Sequence, residues 1–269
     1  MKLLLILLLA YAGIVGLLYL AQTWMVFPGA SLPSRPLSGG LEPERLELPS
    51  GDAVLHGMLF RAASNPADLL IGFGGNAQDA EMLAHDLTDD FPDLHVVVFH
   101  YRGYGPSTGR PSEVAVLADA LVIHDAMVQR LAPLRTFALG ISLGSSVAAY
   151  LSKERPLAGL IMVTPFDSVE AIAKETYFWL PVSLLIKHRF PTAEFMAGNR
   201  TPVAVIAAEQ DRVVRPRRTQ ALVERLENLV FHRALANADH NTIGQLPIYE
   251  QTLRDAFDAL DRAAGTSPG

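Results

Sequence analysis

A doubly wound α/β domain is the fold class this sequence predicts: a mostly parallel sheet with an N-terminal antiparallel hairpin, helices on both faces and a small helical cap. Three observations carry it. Six short apolar runs, at 69–73, 96–99, 137–139, 160–163, 203–207 and 230–235, are continuous rather than alternating, as strands buried on both faces are. Helical patterns separate these runs, and strand–helix alternation is how a doubly wound sheet is built. At Gly140-Ile141-Ser142-Leu143-Gly144 an apolar run passes directly into a small-residue helical pattern, which reads as strand, very tight turn and helix with Ser142 at the apex.

Taken in order, the chain opens with an apolar stretch, 3–21, that contains no charge and is preceded by Lys2. About twenty such residues span a bilayer as a helix. Residues 1–27 are therefore expected to be a transmembrane signal anchor. A cleaved secretory signal is the rival, with Ala10-Tyr11-Ala12 as its site, but cleavage there leaves the apolar stretch 14–20 exposed on the mature chain. A core helix is disfavoured by the lack of a polar face. Trp24 and Phe27 are expected at the far interface, where aromatic side chains prefer to lie. Lys2 is the only basic residue before Arg35, which places the N-terminus in the cytoplasm and the remainder of the chain outside. Residues 28–43, rich in Pro, Gly and Ser, read as a linker.

The third unit is expected to run from 44 to 269. Its stretches 45–48 and 54–60 alternate around Pro49-Ser50-Gly51-Asp52 and predict the hairpin. Helices are expected at 79–90, 112–131, 143–153, 216–226 and 245–263, the second with Leu117, Leu121, His124, Val128 and Leu131 on its apolar face. One segment, about 166–199, breaks the alternation. It holds Tyr177, Phe178, Trp179 and Leu180, is cut by Pro181 and Pro191, and reads as a cap over the C-terminal strand ends, where ligands bind in open α/β sheets. An extra helix packed on the sheet is the alternative.

Composition narrows the function classes. A chain of 269 residues, half of them apolar, suits one large core plus an anchor. The net charge is −6 and no basic block occurs, which argues against nucleic acid as a partner. There is no cysteine, so disulfides, thiol catalysis and Cys-ligated zinc are excluded. No H-E-x-x-H or comparable metal spacing occurs.

A serine hydroxyl at a strained turn needs a base to take its proton, and the base needs an orienting carboxylate. The chain order serine, acid, histidine selects Ser142, Asp211 and His240, each just after a predicted strand and on the same sheet edge. Asp167, after the sixth strand, is the alternative acid, with Glu209 and Asp239 behind it; His100 is the alternative base. Gly140 and Gly144 have a steric role, since strand and helix must approach closely around the serine. Two backbone N–H groups are expected to hold the oxyanion, that of Leu143 by position and that of Asn76 or, next, Ala77 from the loop after the third strand. Gly75, Ala77, Phe166 and Trp179 are expected to line the substrate. The same loop also fits the dinucleotide fingerprint as Gly72-Phe73-Gly74-Gly75-Asn76-Ala77, but the following strand ends in His100-Tyr101-Arg102 and lacks the acid that binds ribose. Tyr101-Arg102-Gly103-Tyr104-Gly105 has no Walker pattern, and Arg102 reads as a structural ion-pair partner.

These residues resemble the α/β-hydrolase superfamily over roughly 44–263. The likeness is closest to a subgroup of single-anchor membrane serine hydrolases, akin to serine aminopeptidases and acyl-protein thioesterases. That subgroup carries a His-Gly-Asn-Ala loop, here Gly74-Gly75-Asn76-Ala77, a Tyr-Arg-Gly-Tyr-Gly loop at 101–105, the elbow at 140–144 and Ala-x-His-Asn at 238–241. The segment Trp179-Leu180-Pro181-Val182-Ser183-Leu184-Leu185 is similar as well. Gly74 departs from the usual histidine. The resemblance implies the α/β-hydrolase fold and a cofactor-free serine hydrolase acting on esters or thioesters, with a small acyl ester, a lipid or a lipidated protein as substrate and no nucleotide. A non-catalytic binding protein on the same fold and a peptidase on short peptides are the other readings.

Overall fold

The computed structural model describes residues 1–31, 42–64 and 66–265; the greater part of the expected linker, 32–41, lies outside the described residues. Eight strands form one sheet: β1 (Glu44–Ser50), β2 (Ala53–Phe60), β3 (Leu69–Phe73), β4 (His95–Phe99), β5 (Thr136–Ile141), β6 (Gly159–Val163), β7 (Val203–Ala208) and β8 (Leu229–Leu235). Their spatial order is β1-β2-β4-β3-β5-β6-β7-β8. β1 pairs with β2 and β2 with β4 antiparallel, and every later pairing is parallel. The hairpin turn needs only Gly51-Asp52, with Gly51 at φ +58°, a conformation glycine adopts without a Cβ clash.

The continuous apolar runs are explained by burial on both sides. On β4, Val97 and Phe99 face one hydrophobic cluster and Val96 and Val98 the other; on β6, Leu160 and Met162 alternate with Ile161 and Val163 in the same way. The first cluster is closed by α3 (Glu113–Leu131) and α4 (Leu143–Glu154), the second by α2 (Ala80–Asp90) and α9 (Tyr249–Gly265). Side chains start the helices where the sequence offers caps. Asp79 accepts from Glu81 N and Met82 N, and Ser112 Oγ accepts from Ala115 N.

Two element details differ from expectation. The buried stripe of α3 runs through Val116, Ala120, Ile123, Met127 and Leu131, with Leu117 and His124 beside it, while Leu121 and Val128 flank it half-buried. The last helix starts at Tyr249 rather than near 245, because Pro247 cannot sit in a helix interior and Ile243–Gln245 forms a separate 3-10 turn.

Between β6 and β7 the chain makes three short helices, α5 (Val169–Thr176), α6 (Val182–Leu185) and α7 (Thr192–Phe195). Pro181 and Pro191 immediately precede α6 and α7. α7 returns to the core, where Phe195 meets Tyr150 of α4 edge-on at 5.2 Å, and α8 (Pro216–Val223) follows β7. At the N-terminus α1 (Lys2–Val26) is long and apolar enough to cross a membrane by length and composition, and none of its residues is buried in the protein. Its C-terminal end is nevertheless tied to the insertion. Gln22 Nε2 donates to Leu185 O (2.9 Å), Gln22 Oε1 accepts from Lys187 N (2.8 Å), and Thr23 Oγ1 lies 2.9 Å from His188 Nε2. Phe27, expected at a membrane interface, is instead a core residue. It is 1% exposed and packs edge-on against His188 and Phe190, because the chain turns into the protein directly after α1. Trp24 stays exposed.

Candidate active site

The turn from β5 into α4 is as tight as the pentapeptide requires. Ser142 sits at φ +51°, ψ −113°, a strained conformation for a residue with a Cβ, and its N–H donates to Val163 O (2.9 Å). The flanking glycines are obligatory at this packing. A Cβ on Gly140 would stand 2.3 Å from Gly144 O, and one on Gly144 would stand 2.0 Å from Phe73 O. Strain at Ser142 is thus held by backbone-to-backbone contact among β3, β5 and α4.

Ser142, His240 and Asp211 are brought together from three separate strand ends. His240 Nε2 lies 2.9 Å from Ser142 Oγ, and His240 Nδ1 lies 2.7 Å from Asp211 Oδ2. The other carboxylate oxygen of Asp211 accepts from Val213 N (2.9 Å) and Val214 N (2.7 Å), which fixes the side chain in a site only 5% exposed. With Asp211 Oδ2 as acceptor at 2.7 Å, the imidazole tautomer that fits carries its proton on Nδ1. Nε2 is then free to accept from the serine hydroxyl.

Two of the competing acids are engaged elsewhere. Asp167 Oδ2 pairs with Arg218 Nη1 at 2.9 Å, and burial pushes the Asp167 carboxyl above its usual range. Asp239 Oδ1 accepts from Asn241 N and Thr242 N within its own turn. His100 is buried at the end of β4, with its pKa lowered by burial, its N–H on His56 O and its carbonyl accepting from Ser107 Oγ.

Opposite the elbow runs the loop 74–78. A Cβ on Gly75 would lie 3.8 Å from the Ser142 Cβ, so Gly75 borders the serine. Its own N–H is occupied, however, donating to Gln78 Oε1 (2.9 Å), while its carbonyl accepts from Gln78 N (3.2 Å). Two tyrosines hold the neighbouring carbonyls: Tyr101 Oη donates to Gly74 O and Tyr104 Oη to Asn76 O, each at 2.8 Å. Burial pushes both phenol pKa values well above their ordinary range, so both remain donors. Leu143 opens α4, where first-turn amides have no intrahelical acceptor. Gln78, Tyr101 and Tyr104 are the residues the sequence reading assigned no part here. The two tyrosines stood in a motif with recognisable glycines, but their partners are carbonyls, which no side-chain pattern encodes.

Two expected substrate contacts lie elsewhere. Phe166 is 2% exposed and belongs to the core beneath the sheet edge. Trp179 packs edge-on against Tyr11 of α1, and its carbonyl accepts from Tyr11 Oη at 3.2 Å, so its ring meets α1 while staying partly exposed. Ala77 is exposed at the loop surface. The fingerprint Gly72 to Ala77 has a steric explanation. A Cβ on Gly72 would meet Leu87 at 2.7 Å, and the N-terminus of α2, where a pyrophosphate would sit, is filled by the Asp79 carboxylate.

No family model matches the chain. It is 36% identical over 168 residues to an uncharacterized protein of Mycobacterium tuberculosis, a match covering 60% of this chain and 57% of that protein. It is 33% identical over 138 residues to the lysophosphatidylserine lipase ABHD12 of Danio rerio, covering 45% of this chain and 36% of that protein. The chain thus spans less than two thirds of the length of these relatives. Among solved structures, the Pyrococcus furiosus esterase Pf2001 superposes with a TM-score of 0.66 at 19% identity, covering 86% of this chain and 98% of that one.

Proposed function

We propose that this chain, which belongs to the α/β-hydrolase superfamily by its fold and its relatives, is a membrane-anchored serine hydrolase that cleaves an ester or thioester of an acyl substrate. The observation that carries the reading is the hydrogen-bonded series Asp211–His240–Ser142, at 2.7 and 2.9 Å. Ser142 Oγ attacks the acyl carbonyl while His240 Nε2 takes its proton, and Asp211 stabilises the imidazolium. The anion that develops on the carbonyl oxygen is held by the Leu143 and Asn76 N–H groups. His240 returns its proton to the departing alkoxide or thiolate. Water, deprotonated by the same imidazole, then attacks the acyl-serine, and the carboxylic acid leaves as Ser142 regains its proton. These steps call on no metal or cofactor.

The finer reading is a lipid or lipidated-protein substrate met at a bilayer. The apolar length of α1, the name of the relative ABHD12 and the exposed Phe178 and Leu184 on the insertion support it. In this reading 1–27 stays uncleaved, in keeping with the burial of Phe27 and the ties of Gln22 and Thr23. Residues 28–43 link the anchor to a catalytic domain at 44–269 that carries 166–199 as its cap. Lys2 keeps the N-terminus cytoplasmic and the domain outside.

Ser142→Ala is expected to lower kcat on p-nitrophenyl esters by about 10^6-fold and to abolish fluorophosphonate labelling; retention of both would overturn the mechanism. Because the chain has no cysteine, Glu227→Cys gives a single exposed thiol. Its labelling by an impermeant maleimide on intact cells tests the orientation, and labelling only after lysis would reverse it.

A further inference from the structure

A cleft of about 480 Å³ separates α1 from the insertion. Its walls are two largely apolar stripes whose residues are half-buried rather than fully covered. On α1 the stripe is Val15, Leu18, Gln22 and Val26, at helical spacings of three and four, and both Val15 and Leu18 are half-buried where their neighbours are exposed. On α5 it is Val169, Ile172, Ala173 and Thr176, and no residue of α5 is fully buried. Facing apolar surfaces of this kind close on each other or on an apolar occupant; here they stand apart. The gap is held open by polar ties at one end, through Gln22 to Leu185 O and Lys187 N and through Thr23 to His188. Both hydrogen-bonding groups of the Gln22 amide are matched there, as they must be in so apolar a helix. The volume falls within the range of about 300–1,000 Å³ that small-molecule sites occupy.

The two ends of the cleft differ in chemistry. One end reaches Arg212, which directly follows Asp211 and whose charge acts on Asp239 beside His240. The other runs along α1 toward residues 1–14, where Leu3 to Leu9 and Ile14 are exposed and Tyr11 alone among the described contacts meets the insertion, at Trp179. An occupant that matches both ends is apolar along its length, polar where it meets Arg212, and delivered from the medium that surrounds α1.

We propose that this cleft is the acyl-chain site of the protein. The hydrocarbon tail of a bilayer lipid lies between α1 and α5, with its ester end at Arg212 and the mouth of the Ser142 site. The ester end of this assignment rests on the hydrolase reading; the tail does not. α1 is therefore a wall of the binding site as well as an anchor, and the insertion recognises the chain only in company with it.

The test uses the full chain in phosphatidylcholine nanodiscs. Ser142→Ala is irradiated with a lysophosphatidylcholine that carries a diazirine at the end of its acyl chain, and the adducts are mapped by mass spectrometry. Adducts on 169–176 are expected, and Ala173→Trp should reduce them at least tenfold; adducts confined to 1–14 would overturn the site. Independently, the ratio of kcat/KM for p-nitrophenyl dodecanoate to that for the butyrate should fall about tenfold in Ala173→Trp. That is the loss expected from excluding between one and two methylenes at about fourfold each. Leu18→Trp fills the cleft from α1, outside the core, and should produce the same fall if Ala173→Trp does not fold. An unchanged ratio in a folded variant would refute the proposal. Absence of ester turnover and of fluorophosphonate labelling in the wild type would instead sink the hydrolase reading and leave the adduct map to decide the cleft.

Discussion

Asp211→Asn isolates the role of the acid, because its surroundings dictate how an asparagine must sit. Oδ1 of Asp211 accepts from Val213 N and Val214 N, so the asparagine turns its carbonyl oxygen to those two amides and its amino group to His240 Nδ1. Two donors cannot face each other, so the imidazole shifts its proton to Nε2 and loses the lone pair that accepts from Ser142 Oγ at 2.9 Å. Forcing that tautomer lowers kcat by about 10^4-fold, or about 5.4 kcal/mol at about 1.36 kcal/mol per decade. The fold is expected to survive, since both amides keep their acceptor. The assay is kcat on p-nitrophenyl butyrate, with the thermal midpoint as a control, beside Asp167→Asn. Asp167 faces Arg218 rather than the imidazole, and its replacement should cost less than about tenfold, the scale of a partly exposed ion pair. An Asp211→Asn enzyme within tenfold of wild type, or an Asp167→Asn enzyme more impaired than it, would refute the assignment.

Gly144→Ala places a Cβ 2.0 Å from Phe73 O, so the elbow must open by about an ångström; kcat should drop at least about 100-fold, read beside the rate of fluorophosphonate labelling. Arg102→Leu strips the 5%-exposed Asp119 carboxylate of its guanidinium, held at 2.6 and 2.7 Å, and should cost about 3–5 kcal/mol in urea denaturation. Much of that loss should return in the double variant Arg102→Leu/Asp119→Leu. Burial raises the Asp90 carboxyl to about 6 from 3.8, so the folded state binds its proton more tightly than the unfolded state. Stability from this group is full below the unfolded value and is lost as pH rises through about 6; Asp90→Asn should be near neutral at pH 4 and stabilising at pH 8 by about 1 kcal/mol, the shift discounted for the solvent that reaches this half-buried group. Tyr101→Phe leaves Gly74 O without its donor and should lower kcat several-fold with little change in KM, measured on the butyrate ester.

Much of this architecture is legible in the sequence because it is encoded in side-chain chemistry that repeats along the chain. Each central strand is an unbroken apolar run because both faces are covered. Gly140 and Gly144 announce a backbone crossing, and the order of Ser142, Asp211 and His240 follows from which strand precedes each. What escapes is anything decided by backbone polar groups or by chain-distant packing. Phe27 reads as an interfacial aromatic because its partners, His188 and Phe190, lie far along the chain. Trp179 reads as a substrate contact because nothing local shows that Tyr11 of α1 will meet its ring. The flank of α3 is misread because apolar residues stand on both candidate faces, Val116, Ala120, Ile123 and Met127 on one and Leu117, Leu121 and Val128 on the other. The burial of Asp119 under Arg102 and Ser50, which belongs to chain-distant packing, decides which face turns inward.

The loop 74–78 shows how a site can be specified by carbonyls alone. In a trans peptide the C=O of one residue and the N–H of the next point in opposite directions. Gly74 O is held by Tyr101, which turns the Gly75 N–H to the far side, where Gln78 Oε1 accepts it. Gly75 O is held by Gln78 N, which turns the Asn76 N–H away from the loop's own turn. Asn76 O is held by Tyr104, which sets the Ala77 N–H in the same manner. With the Gly75 amide occupied, the oxyanion role proposed for this loop falls to the Asn76 and Ala77 N–H groups, whose neighbouring carbonyls are already held. That is the preorganisation electrostatic stabilisation requires, since donors already aimed need no reorganisation at the transition state. It also gives the Tyr-Arg-Gly-Tyr-Gly loop a physical reason for its composition. Arg102, anchored on Asp119 of α3 and on Asp52 and Ser50 O in the hairpin, fixes the loop to the scaffold, so the two phenols beside it can hold the backbone opposite Ser142.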